Sequence, residues 1–493
     1  MTAATAEATP VASLAAAAST RRLLVNAASL LLAYILPRLF LAASVIVAAR
    51  VLGAQTFGIY GTAAAYAVIV SLLATLGMQP LLVREMARAP ERAPSLMRAA
   101  DLVKGVAGAV MLVTLVVLAA PLGYGREVVG AALLLGISNW IFAFIENRSA
   151  MVQAQERMHV WTEASALYGL VAGGSGIVLV IATRDVLWFC ASAAIGQLAA
   201  LLWLRVRAPV TQPGRLEPGA VRTLVRSVAP FAAAFIALSL HAKIAVLLLA
   251  HWRPEADVGV FVAGYKFVDI AQALVLVVAG AAFPRLSRSF GQAAGRWLAG
   301  ARLADLLLLG AAPMAAALWL AREPVVALLF GSGYAAAVPV VAFLAASLPA
   351  LAVNVGGAFV LSAAGRISTA ALLYAGAVVL DVVLCALWVP DRGAAGAASA
   401  LLVSEWLLCA TMMIALHRAA HVRVRPAAAL AFAGVVLLTP VVGILPDISG
   451  GWIRAGVVIG CAGALYRAIG VLTEEERAVL RDAVRRRRPG LVT

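Results

Sequence analysis

The sequence predicts an all-α integral membrane protein of about fourteen transmembrane helices. Three observations carry this. The 493 residues are 63% apolar and only 13% charged, against roughly 25% charged residues in soluble domains. Apolar stretches of about 20 residues, the length needed to cross a hydrocarbon core of about 30 Å, recur along the chain. The short-period alternation of a membrane barrel is missing.

The spans are read at residues 23–49, 59–79, 99–121, 128–147, 161–182, 186–206, 228–250, 258–283, 303–320, 336–363, 367–388, 395–416, 427–445 and 452–471. Apolar character continues past the ninth span to Phe330, and the tenth contains Gly356 and Gly357, where a bend is expected. Residues 1–20 read as a disordered tail, because they lack a basic start and carry Glu7. A loop at 207–227 with three prolines separates two sets of six spans (21–206 and 228–418), and a basic tail follows at 472–493.

Orientation follows from arginine and lysine in alternate loops. One side carries 27 arginines and the other 7. With an even number of spans, the arginine-rich side and both termini are expected in the cytoplasm. This pattern also explains the net charge of +16 without nucleic acid. Loops on the arginine-poor side are too short for an extracytoplasmic catalytic domain. Walker A, HExxH and GxSxG patterns do not occur, so transport rather than catalysis is expected. Cys190, Cys385, Cys409 and Cys461 each sit alone in an apolar span and read as small hydrophobes. Gly173-Gly174-Ser175-Gly176 lies inside a span and reads as close helix packing, not a phosphate loop.

An internal repeat joins the halves. Phe57-Gly58-Ile59-Tyr60 matches Val258-Gly259-Val260-Phe261 at an offset of 201, and Tyr66 matches Phe267. Each helix ends at a proline followed by arginine: Pro80 with Arg84, and Pro284 with Arg285. Six-helix halves in one orientation imply a pseudo-twofold axis along the membrane normal, with substrate bound between them.

Ionisable residues inside spans are the functional candidates, because a cation at the bilayer centre costs about 2.5–3.5 kcal/mol. Arg38 follows Pro37 in the first span, and His241 and Lys243 lie in the seventh. With Lys266 they form the candidate binding set for an anionic head group, diphosphate above all. Lys266 and Asp269 stand three apart on one helix face and can pair. Asp269, Asp381 and Glu405 are the candidate carriers of a coupled H+ or Na+, with pairing to a lysine as the competing reading for Asp381 and Glu405. Lys104 is read as snorkelling from its span end. No cofactor and no metal are expected.

The chain resembles the polysaccharide-biosynthesis flippases, transporters of lipid-linked units for O-antigen and exopolysaccharide within the multidrug/oligosaccharidyl-lipid/polysaccharide superfamily. The likeness covers residues 25–370. It is carried by Arg50-Val51-Leu52-Gly53, Phe57-Gly58-Ile59-Tyr60, Gly77, Arg84-Glu85 with Arg88, Gly264-Tyr265, Pro284-Arg285-Leu286-Ser287, Leu329-Phe330-Gly331 with Tyr334, and Ala363-Ala364-Gly365-Arg366. The resemblance implies a MATE-like fold of two six-helix lobes with two further C-terminal helices. It also implies an undecaprenyl-diphosphate-linked glycan as substrate in the bacterial cytoplasmic membrane, with membrane lipids and other polysaccharide-assembly proteins as partners. Basic cavity residues are typical of this family, and Arg38 and Lys243 fit by position. The seventh helix departs from the family pattern, since Ile244-Ala245-Val246 follows Lys243 where an acid is common. Lipid II flippases and multidrug exporters of the same superfamily are the nearest alternatives, and a membrane polysaccharide polymerase or ligase is the alternative of another class.

Overall fold

The computed structural model describes residues 10–75, 77–209, 220–290, 296–420, 422, 425–444 and 451–469. The expectations for 1–9, for 210–219 of the loop between halves and for the tail 472–493 lie outside the described residues. Among the described residues there are fourteen α-helices and no strand. They are α1 (Pro10–Thr75), α2 (Gln79–Arg88), α3 (Ala93–Ala119), α4 (Arg126–Ala154), α5 (Met158–Thr183), α6 (Val186–Arg207) and α7 (Ala220–Trp252). The second seven are α8 (Glu255–Phe290), α9 (Arg296–Leu320), α10 (Arg322–Phe330), α11 (Ala337–Ala363), α12 (Ile367–Ala420), α13 (Pro426–Gly443) and α14 (Trp452–Ala468).

This total of fourteen is composed differently from the fourteen spans read in the sequence. A straight 66-residue helix would extend about 100 Å, three times the hydrocarbon thickness. α1 therefore breaks at Gly53 (φ 72°) and holds the first two spans. α12 breaks likewise at Gly393 (φ 54°) and holds the eleventh and twelfth. Only glycine adopts such φ values without strain, so each reversal needs no loop. α2 and α10 are too short to span. In α2, Leu81, Leu82 and Met86 are buried while Arg84 and Arg88 are exposed, the pattern of a helix lying along an interface. α10 accounts for the apolar run beyond the ninth span. Among the described residues, ten helices are long and apolar enough to cross a membrane, and the protein is a multi-pass membrane protein.

Some expectations change. α1 reaches back to Pro10, into the segment read as a tail, because residues 11–18 are rich in alanine, the best helix former. α11 runs unbroken through Gly356 and Gly357. Their missing side chains admit Leu307 and Met412, to which β-carbons would approach within 2.3 and 2.7 Å. Cys461 is exposed on α14, while the other three cysteines are buried.

The chain divides into two compact units. The first comprises residues 1–51, 73–118 and 129–228. Here glycines on α5 seat α1: β-carbons at Gly169 and Gly173 would stand 2.2 Å from Pro37 Cβ and 2.8 Å from the Phe40 carbonyl carbon. Gly176 receives Ser44 and Ser192, whereas Gly174 faces nothing within 4 Å. The motif at 173–176 packs helices, as membrane helices do through small residues.

The second unit comprises 52–72, 119–128 and 229–493. The second span thus clusters with α8, not with the helices 21–206 among which the repeat reading grouped it. The cause is a reciprocal contact. A β-carbon at Gly58 would meet the Glu255 carbonyl oxygen at 1.8 Å, and one at Gly259 would meet that of Ala54 at 1.9 Å. Both pairs are related by the sequence offset of 201, and Gly61 against Val262 repeats it. Residue i touching the repeat-mate of j, and j that of i, is the signature of a twofold crossing. α13 and α14 cover α9 through a buried cluster that includes Ala312, Ala316, Val435, Val442 and Val458. Asp305, fully buried on α9, is held by the Arg425 guanidinium and backbone N–H at the start of α13.

Candidate functional site

Two charged clusters lie at membrane depth in the second unit, and α7 contributes to both. On one face of α7, the His241 ring is 4% exposed and lies between two carboxylates of α12. Its Nδ1 is 2.7 Å from Asp381 Oδ2 and its Nε2 is 3.3 Å from Glu405 Oε1. Asn354 of α11 donates its amide to Glu405 Oε2 (2.6 Å) and to the Glu405 carbonyl (3.0 Å). Tyr374, two helical turns before Asp381, packs edge-on against the His241 ring at 5.6 Å. An imidazole donates from both nitrogens only when protonated, so if both carboxylates are ionised the two contacts require an imidazolium between them. Asp381 Oδ1, Asn354 Oδ1 and Tyr374 OH are buried without a hydrogen-bond partner among the described residues.

On the other face, Lys243 and Lys266 share Asp269. The ammonium groups lie 3.5 Å from Asp269 Oδ1 and 2.9 Å from Asp269 Oδ2, respectively. Lys243 also stands 4.7 Å over the Tyr265 ring, a cation–π contact, and Tyr265 donates its hydroxyl to the Ala242 carbonyl (3.0 Å). The three charged side chains are a quarter to a third exposed. Two cations against one anion leave a net charge of +1 at an accessible position.

The sequence reading grouped His241 with the basic residues and Asp269 with the carboxylates. The structure exchanges them: His241 joins Asp381 and Glu405, and Asp269 joins the lysines. The competing reading for Asp381 and Glu405, pairing with a lysine, is replaced by pairing with histidine. Tyr374 and Asn354 were not singled out from the sequence, although Tyr374 stands seven residues, and therefore one helix face, from Asp381.

In the first unit, Arg38 is exposed on the rim of a cavity of about 310 Å3 whose walls include Trp161, Ser165, Tyr168 and Gln197. Lys104 does not snorkel. It is fully buried, bonds Glu146 Oε2 (2.9 Å) and the Ala143 carbonyl (3.0 Å), and its own carbonyl accepts from Trp140 Nε1. Burial wins because Glu146 stands within reach on α4. Nearby, Asn147 donates to Asp101 (2.7 Å). Lys104 is thus a structural ion pair.

The family profile described as "Polysaccharide biosynthesis protein" matches residues 23–290. The chain belongs to this family. Comparison with curated protein sequences gives no match. Among solved structures, the lipid II flippase MurJ in an inward closed conformation aligns with a TM-score of 0.67 at 10% identity, over 91% of this chain and 100% of MurJ. An inward-facing multidrug-resistance MATE transporter of the MOP superfamily gives 0.64 at 15% identity, over 77% of this chain and 93% of that one. The Vibrio cholerae MATE transporter VcmN gives 0.55 at 15% identity, over 79% and 96%. These likenesses show the fold. Family and fold together make the chain a multi-pass membrane protein of the polysaccharide-biosynthesis family with the fold of MurJ and of the MATE transporters.

Proposed function

We propose that this transporter flips a polyprenyl-diphosphate-linked oligosaccharide, with undecaprenyl as the carrier, across the bacterial cytoplasmic membrane by alternating access, with both termini cytoplasmic. The observation that carries this reading is the half-open Lys243–Lys266–Asp269 cluster. Its excess positive charge, held by apolar helices, suits a diphosphate, and an apolar surround strengthens each charge-assisted hydrogen bond. Arg38, at the rim of an aromatic and amide-lined cavity, is a second basic residue for the head group. A lipid II head group carries the same diphosphate. A cationic drug meets repulsion at this cluster, which disfavours the multidrug-exporter reading.

The coupling group in this proposal is His241 with Asp381 and Glu405, and the coupled ion is a proton. The imidazole ring already occupies the position between the two carboxylates that a Na+ would take. Losing the proton turns one ring nitrogen into an acceptor and sets it against a carboxylate. That changes how tightly α7 is tied to α12, which is the kind of differential contact a transport cycle needs.

The test is depletion of the protein in cells that make surface polysaccharide. Accumulation of the diphosphate-linked glycan on the cytoplasmic leaflet, with loss of the surface polymer, is expected. Continued appearance of the lipid-linked unit on the outer leaflet would overturn the substrate assignment. In reconstituted vesicles, a pH gradient should change the transport rate and a Na+ gradient should not.

A further inference from the structure

The Gly264-Tyr265 pair marked in the sequence lies on α8 directly before Lys266, and the function proposed above gives it no part. Tyr265 is 5% exposed. Its hydroxyl donates to the carbonyl of Ala242, the α7 residue between His241 and Lys243 (3.0 Å). Its ring stacks on fully buried Phe261, one turn earlier, with centroids 5.8 Å apart. Gly264 brings this turn of α8 close to α11: a β-carbon there would stand 2.9 Å from Val340 Cγ1. The ring is therefore fixed at its face and at its hydroxyl, and the Lys243 ammonium lies over it, 4.7 Å from its centroid.

The two lysines that share Asp269 are held differently. Lys266 Nζ is 2.9 Å from Asp269 Oδ2 and stands three residues before it on the same helix. Helix geometry keeps such a pair together, and the distance is that of a charge-assisted hydrogen bond. Lys243 reaches Asp269 Oδ1 from another helix at 3.5 Å, which is the outer limit of a hydrogen bond. Its firmer contact is the face of Tyr265, which attracts a cation without a directed bond. An ammonium has three donors. Phosphate oxygens can therefore draw Lys243 from Asp269 while it stays over the ring, whereas drawing Lys266 away breaks the short pair.

We infer that Tyr265 is a positioning residue that holds Lys243 as the cation offered to the anionic head group, while Lys266 remains the counter-ion of Asp269. This rests on the diphosphate reading of the same cluster and gives its two lysines separate roles. The physical gain is preorganisation. A lysine side chain has many rotamers, and a site that leaves it free must order it when the ligand binds. The Tyr265 ring orders Lys243 beforehand, and the bond to Ala242 ties that ring to the backbone from which Lys243 projects.

The chain holds three lysines, Lys104, Lys243 and Lys266, so full-length protein labelled with 13C at the lysine ε-carbon gives a spectrum simple enough to test this in detergent. The Lys243 signal should be shifted upfield by the ring current of Tyr265. Tyr265→Phe should keep that shift and Tyr265→Leu should abolish it. Farnesyl diphosphate, the probe, should move the Lys243 signal more than that of Lys266. Its Kd should rise several-fold in Tyr265→Leu and in Lys243→Gln, with no further rise when the two are combined, because Tyr265 acts through Lys243. Fluorinated phenylalanines at position 265 keep the ring's shape and drain its negative face. They should raise Kd stepwise relative to Tyr265→Phe, and they carry the test if Tyr265→Leu does not fold. A Lys243 signal unmoved by Tyr265→Leu, additive losses in the double variant, or a larger response of Lys266 than of Lys243 to the probe would each overturn the inference. A Lys243 signal that follows Tyr265 while farnesyl diphosphate moves neither lysine would overturn the diphosphate reading, and the head-group role of Tyr265 with it.

Discussion

His241 and Lys243 stand two residues apart on α7 yet belong to different environments. His241 is sealed, with 4% of its surface exposed, and faces two carboxylates. Lys243 is a quarter exposed and shares one carboxylate with Lys266. Two residues are about 200° of helix rotation, which puts the side chains on opposite faces. The comparison teaches that membrane depth alone does not assign a buried charge. Whether its cluster is sealed with carboxylates on both sides, or open with an excess of cations, separates a group that holds helices from one that can meet a ligand.

The strongest way to break the comparison is to remove one partner of the closed cluster. Asp381→Leu leaves the His241 Nδ1 donor without its acceptor in a buried site, which costs about 3 kcal/mol when the group is charged. Thermal unfolding in detergent should show a large loss of stability, whereas Asp381→Asn, which keeps the shape and a hydrogen-bonding group, should fold and lose the response of transport to pH. If Asp381→Leu were as stable as wild type, the closed cluster would not be holding α7 to α12.

Lys104→Met tests the same rule in the first unit. It strands Glu146 and should also destabilise by about 3 kcal/mol, and pairing it with Glu146→Leu should recover most of that loss. A double-mutant cycle on unfolding reads the recovery directly.

For the open cluster the expectation reverses. Lys243→Gln with Lys266→Gln removes partly solvated cations and should change stability by only about 1 kcal/mol, while transport of a diphosphate-linked lipid in vesicles falls to background. Wild-type transport by that variant would remove the cluster from the site.

The smallest effects sharpen the packing side of the comparison. Gly58→Ala meets the Glu255 carbonyl at 1.8 Å and should cost about 1–3 kcal/mol through displaced backbone. Gly174→Ala, with nothing within 4 Å, should stay within about 0.5 kcal/mol of wild type. Melting temperatures of the two variants measured side by side would show whether glycine is needed at the crossing or merely tolerated.

Much of this was legible in the sequence because it depends on composition and period. Twenty-residue apolar stretches gave the spans, and the 201-residue offset marked the positions that cross as Gly58 with Glu255 and Gly259 with Ala54. The three-residue spacing gave the Lys266–Asp269 pair. The exchange of His241 and Asp269 between clusters was half legible, since helix rotation separates His241 from Lys243. No local rule, however, says that Asp381 and Glu405, 140 and 164 residues away, lie on the His241 face.

The sequence by itself determined that this is a multi-pass helical membrane protein, where the spans fall, and which few ionisable residues lie at membrane depth. These follow from the cost of exposing polar backbone and charge to hydrocarbon, which acts on each segment separately. Tertiary structure decided which charges neutralise one another, that Lys104 is buried and not snorkelling, and that Gly53 and Gly393 each join two spans. Those outcomes depend on which helix faces meet, and packing between residues remote in the chain sets them.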